Sequence, residues 1–286
     1  MNVREFKLVN ESGQEFSLMD IENYCLLTDP SGLGYEYSAE YEQLGNTFIS
    51  NLRKIQLEPI RGQVNFLKYD NYRKLVDFIE KSETLKFAYK VPYKDIGTVE
   101  FYKDIEIKSL SKTQIQTNNI ISETIVFNCL SLWYKESKIF FTTEEAEDEI
   151  RWDFTWDSRF VDNDSRNLEI VNDGHTEASV VIEIDGEVVK PKIELYVEGE
   201  LYQTIEFNTT IDEYEKLLYC SKENEFYMNK QTSGGSIVSL MDLSIIDFES
   251  DLVIRLPRNK LCKIVLSGTN DIGVAKVVVY SYYKAV

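Results

Sequence analysis

The chain has 286 residues, 43% of them hydrophobic and 13% aromatic, and a formal net charge of −18. That length exceeds one small core and fits two domains, and the hydrophobic share excludes a disordered chain. An acidic chain without a basic stripe is poorly suited to specific nucleic-acid binding or to an anionic membrane surface, because both depend on neutralising negative charge.

The charge is unevenly spread. Residues 1–143 hold 17 Lys and Arg against 20 Asp and Glu, whereas residues 144–286 hold 14 against 29. Residues 1–19 carry charges throughout and lack the apolar stretch of a signal peptide, and no run is long enough to span a bilayer. Cys25, Cys129, Cys220 and Cys262 are scattered and form no CxxC pair, so buried reduced thiols of a protein made in a cytoplasm are expected.

Residues 3–8 and 15–18 predict a hairpin around Asn10-Glu11-Ser12-Gly13. Residues 20–27 then lead into an arm at 29–49. Asp29-Pro30 breaks what precedes it, and Gly32 and Gly34 permit turns that residues with a Cβ resist. Leu33 between them reads as an exposed apolar tip. Tyr35, Tyr37 and Tyr41 interleave with Glu36, Glu40 and Glu42, and Gly45-Asn46 before Phe48 is a second turn signal. Two extended strands around flexible turns, apolar at intervals yet rich in carboxylates, suit a reach toward a neighbouring copy better than packing within one domain.

Residues 49–58 and 62–67 alternate in part, with Pro59 between them. Tyr72, Leu75, Val76 and Ile79 fall at i, i+3, i+4 and i+7, which predicts one amphipathic helix, capped by Asp70 or Asn71, lying across a sheet. Residues 84–91, 98–107 and 120–133 read as strands, and the polar stretch 108–119 as including a turn. The first domain, 1–143, is therefore expected as an antiparallel sheet or split barrel with one covering helix and an extended arm.

Five acids crowd residues 142–149, and like charges this close mark the expected boundary. The second domain, 144–286, is nearly all β by pattern, with strands at 166–171, 179–184, 192–197, 201–207, 236–240, 251–256, 263–266 and 275–283. Asn172-Asp173-Gly174, Asp185-Gly186, Glu198-Gly199 and Gly268-Thr269-Asn270 punctuate them, which predicts a β-sandwich. Residues 211–220 fit either a helical turn or a strand.

Catalytic signatures are sparse. His175 is the single histidine and lies in a polar turn, where solvation is the ordinary outcome. Gly32-Leu33-Gly34 begins like a dinucleotide fingerprint, but Tyr37 stands where its third glycine belongs. Thr232-Ser233-Gly234-Gly235-Ser236 lacks the spacing of a nucleophile elbow and reads as a flexible loop. Asp153, Asp157, Asp162 and Asp164 offer oxygen ligands without an EF-hand's glycine and glutamate. Trp152 and Trp156 offer a ligand or partner surface, although aromatics at 152, 154, 156 and 160 more often bury one strand face. No catalytic, cofactor-binding or metal-ligating set emerges, so the expectation is a structural or interaction protein and not an enzyme. The alternative is a carbohydrate-binding module of a cell-wall-targeting protein, with the two tryptophans as its stacking platform.

The pattern at 29–49, continued at 72–90 and 101–134 and in the carboxy-terminal half, resembles the distal tail protein family of long-tailed bacteriophages and prophages. That resemblance implies a mainly β protein whose first domain builds a homo-hexameric hub ring at the end of the tail tube, around a channel for DNA passage. It implies that the arm, carried by Pro30, Gly32, Leu33, Gly34, Tyr35, Tyr37, Tyr41 and Phe48, clasps the adjacent subunit. It also implies a galectin-like second domain facing outward. The implied partners are the tail tube protein, the tail hub or tail-associated lysin, and receptor-binding or other baseplate proteins, in a virion tail tip made in the host bacterial cytoplasm.

Overall fold

The computed structural model describes residues 4–22, 25–93, 97–113, 120–141, 167–242, 252–269 and 274–286. The chain is mainly β with one α-helix among the described residues. It divides into two compact units, Met1–Tyr134 with Tyr283–Val286, and Lys135–Tyr282. The boundary expected at 143/144 lies outside the described residues; the division at 134/135 falls within a strand. No described helix is long and apolar enough to cross a membrane.

The first unit begins with β1 (Glu5–Asn10), β2 (Glu15–Ser17), β3 (Met19–Asp20) and β4 (Cys25–Ser31). β5 (Glu36–Leu44) and β6 (Thr47–Gln56) form a separate hairpin. β7 (Ile60–Phe66), α1 (Tyr69–Lys81), β8 (Leu85–Tyr93), β9 (Gly97–Leu110), β10 (Ile121–Cys129) and the start of β11 (Trp133–Phe141) follow. The main sheet is antiparallel in the order β2-β1-β8-β9-β10-β7-β4-β3. Leu18, between β2 and β3, donates its amide to the Phe6 carbonyl and accepts from the Leu27 amide, 2.8 Å each. These single bonds draw the ends of the order toward each other without a continuous ladder, so the sheet curls but stays open.

The period-2 pattern Ile60, Gly62, Val64, Phe66 turns apolar side chains inward, where they meet Leu8, Phe87, Ile125, Phe127 and Trp133 in one core. α1 covers part of that core with Tyr72 and Leu75 buried and Val76 and Ile79 packed alongside. The helix starts earlier than its apolar face predicts. Lys68 is its N-cap with no side-chain bond, and Asp70 and Asn71 sit inside the first turn instead of capping it. The predicted strand at 120–133 is two strands, because the chain leaves the ladder after Cys129 and re-enters at Trp133.

The second unit contains β12 (Asn167–Val171), β13 (Ala178–Asp185), β14 (Val188–Val189), β15 (Lys192–Val197), β16 (Glu200–Glu206), β17 (Thr210–Ile211), β18 (Lys216–Cys220), β19 (Tyr227–Gln231), β20 (Ile237–Ser239), β21 (Arg255–Leu256), β22 (Leu261–Ser267) and β23 (Val274–Tyr283). One sheet runs β20-β19-β18-β13-β23, and the other β12-β22-β15-β16. Their inner faces share one core that includes Val180, Ile182, Val277 and Val279 from the first and Ile193, Leu195, Ile264 and Leu266 from the second. This is a two-sheet sandwich. The ambiguous stretch 211–220 resolves into the short β17 and the buried β18. β19 carries no clear sequence signal, yet pairs along all of β18.

Candidate assembly arm

β5 and β6 pair only with each other among the described residues, from Glu36↔Gln56 at the base to Leu44↔Thr47 at the end, with one register shift at Glu40/Tyr41. The tip is Gly45-Asn46, where Gly45 takes φ +62°. A positive φ at the first turn residue matches the strand twist of a two-residue hairpin. Gly32-Leu33-Gly34 is therefore the root of the arm and not its tip. Both segments carry turn signals, but only Gly45-Asn46 has strands of nine and ten residues on either side.

The root is fastened from several sides. At Gly32, φ is +78° and an added Cβ would collide with the Pro59 carbonyl, so entry and exit strands pack backbone to backbone. Leu33 packs on the unit's core, and its carbonyl accepts a 2.8 Å bond from the buried Trp133 indole. On the exit side, the Cys129 thiol donates to the Glu58 carbonyl at 3.2 Å. Just outward, Tyr35 meets Tyr37 edge to face at 5.2 Å, and the Arg53 guanidinium lies 3.6 Å above the Tyr37 ring. The Lys284 ammonium donates to the Tyr37 hydroxyl at 3.0 Å, and that bond, with the nearby positive charge, holds the hydroxyl below the ordinary tyrosine value.

Beyond Tyr37 the arm buries almost nothing. Tyr41 is 68% exposed, Phe48 66% and Leu44 60%, and Ile49 and Leu52 are exposed as well. Directly paired residues share a face, so Tyr41 and Phe48 lie on one side of the hairpin and Leu44, Ile49 and Leu52 on the other, among Glu40 and Glu42. A two-stranded hairpin is marginal alone in water, and contiguous exposed apolar side chains mark interaction surfaces. The arm is thus rigid at its base and apolar on both faces outward.

The expected arm residues therefore separate into two groups. Pro30, Gly32, Leu33, Gly34, Tyr35 and Tyr37 build or flank the root, while Tyr41 and Phe48 are presented outward. Leu44, Ile49 and Leu52 belong with the second group and were not singled out from sequence, although their alternation around Gly45-Asn46 carried the signal. Trp152, Trp156 and the aspartates at 153, 157, 162 and 164 lie outside the described residues. His175 is exposed in a turn whose amide donates to the Tyr282 carbonyl at 2.6 Å. Thr232 to Ser236 is a closed hairpin turn between β19 and β20, fixed by the Thr232 amide on the Ser236 carbonyl. The four cysteines are free thiols; burial pushes Cys25 up to about 12 and Cys262 up to about 11, which disfavours the reactive thiolate.

Residues 5–130 match the family described as distal tail protein, N-terminal domain. The fold of the chain is similar to that of a chain in the phage P2 baseplate in its activated conformation with calcium. The TM-score is 0.66 at 16% identity, over 99% of this chain and 100% of that one. It is also similar to the SPP1 Dit protein, described as a paradigm of the hub adsorption apparatus in phages that infect Gram-positive hosts. There the TM-score is 0.54 at 10% identity, over 96% and 98% of the two chains. None of the curated proteins matches the chain.

Proposed function

We propose, for a chain whose residues 5–130 match the distal tail protein N-terminal domain, that it closes into a homo-hexameric hub ring at the end of a phage tail tube. The ring surrounds a channel for DNA. The tube protein docks on one side, and the tail hub or tail-associated lysin on the other. The second unit, for which the resemblance implies a galectin-like relation, faces outward toward receptor-binding or other baseplate proteins, at the virion tail tip.

The observation that carries this reading is the hairpin β5–β6, with a fastened root and an apolar outer half. A closed ring requires a heterologous contact, in which one surface of each copy fits a different surface of the next. An arm that presents Tyr41, Phe48, Leu44 and Ile49, exposed among the described residues, supplies one such surface. Aromatic anchors of this kind dominate interface energies. The acidic balance suits a conduit that passes DNA without holding it.

The test is removal of Glu36–Gln56. These two residues are paired neighbours, so a short glycine linker joins the ends without strain. The variant is expected to keep the circular dichroism of a folded β protein and to sediment as single chains where the parent forms six-fold rings. Rings that persist without the hairpin would overturn the role of the arm.

A further inference from the structure

Lys103 lies on the inward face of β9, fully buried, opposite Phe87 in the β8 ladder. Among the described residues its nitrogen meets no acceptor at full hydrogen-bond geometry, with the weakly accepting Cys129 sulfur nearby, and it sits 4.9 Å from the centre of the Trp133 ring. The ionisable groups that act on it are the Cys129 thiol from β10 and the Glu58 carboxylate from the arm's exit. β8 and β11 face it with the uncharged Phe87 and Trp133. A buried amine without a strong acceptor is costly in its charged form.

Its two neighbours are the groups that fasten the arm. Trp133 holds the entry strand through the Leu33 carbonyl, and Cys129 holds the exit strand through the Glu58 carbonyl. Lys103 therefore sits beneath both clasps. We propose that Lys103 is a positioning residue for the arm: uncharged, it completes the seat that grips both roots, and protonated, it releases them.

The physical steps are direct. Uncharged, the amine remains against the indole face; the attraction of that face for a cation is smaller than the cost of keeping the charge buried beside it. Burial favours this form and lowers the amine's proton affinity below that of an ordinary lysine. Once charged, it seeks the Glu58 carboxylate or water. Either movement withdraws it from Trp133 and disturbs the Cys129–Glu58 bond, so both clasps loosen together. By linkage, whatever presses the arm onto its seat also expels the proton. The device operates in a single chain, whether or not rings form.

The experiment follows the full-length chain labelled with fluorotryptophan, the Trp133 signal being assigned with Trp133→Phe. Hydrogen exchange of peptides covering Glu36–Gln56 is measured in parallel across pH for the parent and for Lys103→Met, which keeps length but cannot ionise. Intrinsic exchange cancels in the ratio of the two proteins, and sedimentation at each pH reads any change of assembly separately. The expected result is a Trp133 shift at a pH below that of exposed lysines. Alongside it, arm exchange in the parent rises over the variant by about tenfold per pH unit as pH falls from the ordinary lysine value toward that midpoint, and levels off below it, where release takes up no further proton. Three results would each overturn the proposal: no such Trp133 transition in the parent, a transition unaccompanied by arm exchange, or the same transition in Lys103→Met. The first needs only the parent, so it stands even if the variant folds poorly.

Discussion

Two hairpins of this molecule are close counterparts in backbone and opposites in chemistry. β5–β6 and β15–β16 are each antiparallel, closed by a two-residue turn and interrupted by one register shift. In β15, the alternation Lys-Ile-Glu-Leu-Tyr-Val buries Ile193, Leu195 and Val197 against the opposite sheet. Its turn, Glu198-Gly199, has φ of +54° and +91°, the pair of positive values that a tight hairpin prefers. β15 also pairs with β22, so this hairpin is one part of a four-stranded sheet. β5–β6 has no third strand among the described residues, and its apolar side chains stay in solvent. One hairpin is completed by a further strand, whereas the other has none beside it among the described residues.

The widest separation between the two comes from truncation. Leu195 is fully buried, so Leu195→Ala should cost about 2–5 kcal/mol through lost transfer energy and a residual cavity. A thermal melt resolves a change of that size. Phe48→Ser on the arm removes a larger side chain, yet should move the melt of single chains by less than about 0.5 kcal/mol, since little is buried there. Its effect is expected in sedimentation, as weakened association. Equal destabilisation by the two substitutions would mean that the arm packs on its own chain in solution.

Much of this contrast is legible in the sequence, and the remainder fails for identifiable reasons. Helix α1 and the β15 and β22 strands follow from periodicity, because one face of each is buried in its own unit. The arm's reach follows from turns and interleaved tyrosines and glutamates. Its tip is at Gly45-Asn46 and not at Leu33, because two glycine-bearing turns compete locally and strand pairing chooses between them. β19 has no such signal, because Tyr-Met-Asn-Lys-Gln is mostly polar and is held by its ladder to β18. Phe101, Lys103, Ile105 and Ile107 alternate in register and place the lysine on the inward face, where a charge breaks the apolar pattern. Glu123 sits likewise among Ile121, Ile125 and Phe127, fully buried and accepting from the Thr113 amide at 2.7 Å. A charge on an apolar face is easily read as an exception to the pattern when it is a member of it.

A smaller effect concerns the root of the arm. Burial depresses the folded-state pKa of Lys103, so the unfolded chain binds a proton that the folded chain does not. Stability contributed at this site is therefore lowest below the folded pKa and recovers as pH rises toward the unfolded lysine value of about 10.4. Lys103→Met should consequently raise the melting temperature at neutral pH, and the gain should shrink toward alkaline pH. No counterpart is expected in β15–β16, where Lys192 is paired with Glu194 and its pKa is raised. A gain for Lys103→Met that does not vary with pH would assign the effect to packing alone.

The smallest effect distinguishes tyrosines. Of the 18 in the chain, Tyr37 is held at the arm's base by the Lys284 ammonium, which favours its phenolate. Tyr219 and Tyr280 in the sandwich unit are shifted the other way, because burial opposes charge on the ring oxygen. In an alkaline absorbance titration of the native protein, Tyr37 should ionise ahead of the exposed tyrosines, and Tyr219 and Tyr280 after them. Tyr37→Phe should delete the earliest component and leave the late ones in place. Lys284→Met should move that component back among the ordinary tyrosines. A group whose folded pKa is depressed adds stability through ionisation only as pH rises through that pKa, so neither substitution should alter the melt at neutral pH through this term. If Tyr37→Phe removes no early component, the Lys284 contact is not kept in solution. The arm's direction would then be set by the Leu33 and Glu58 carbonyls alone.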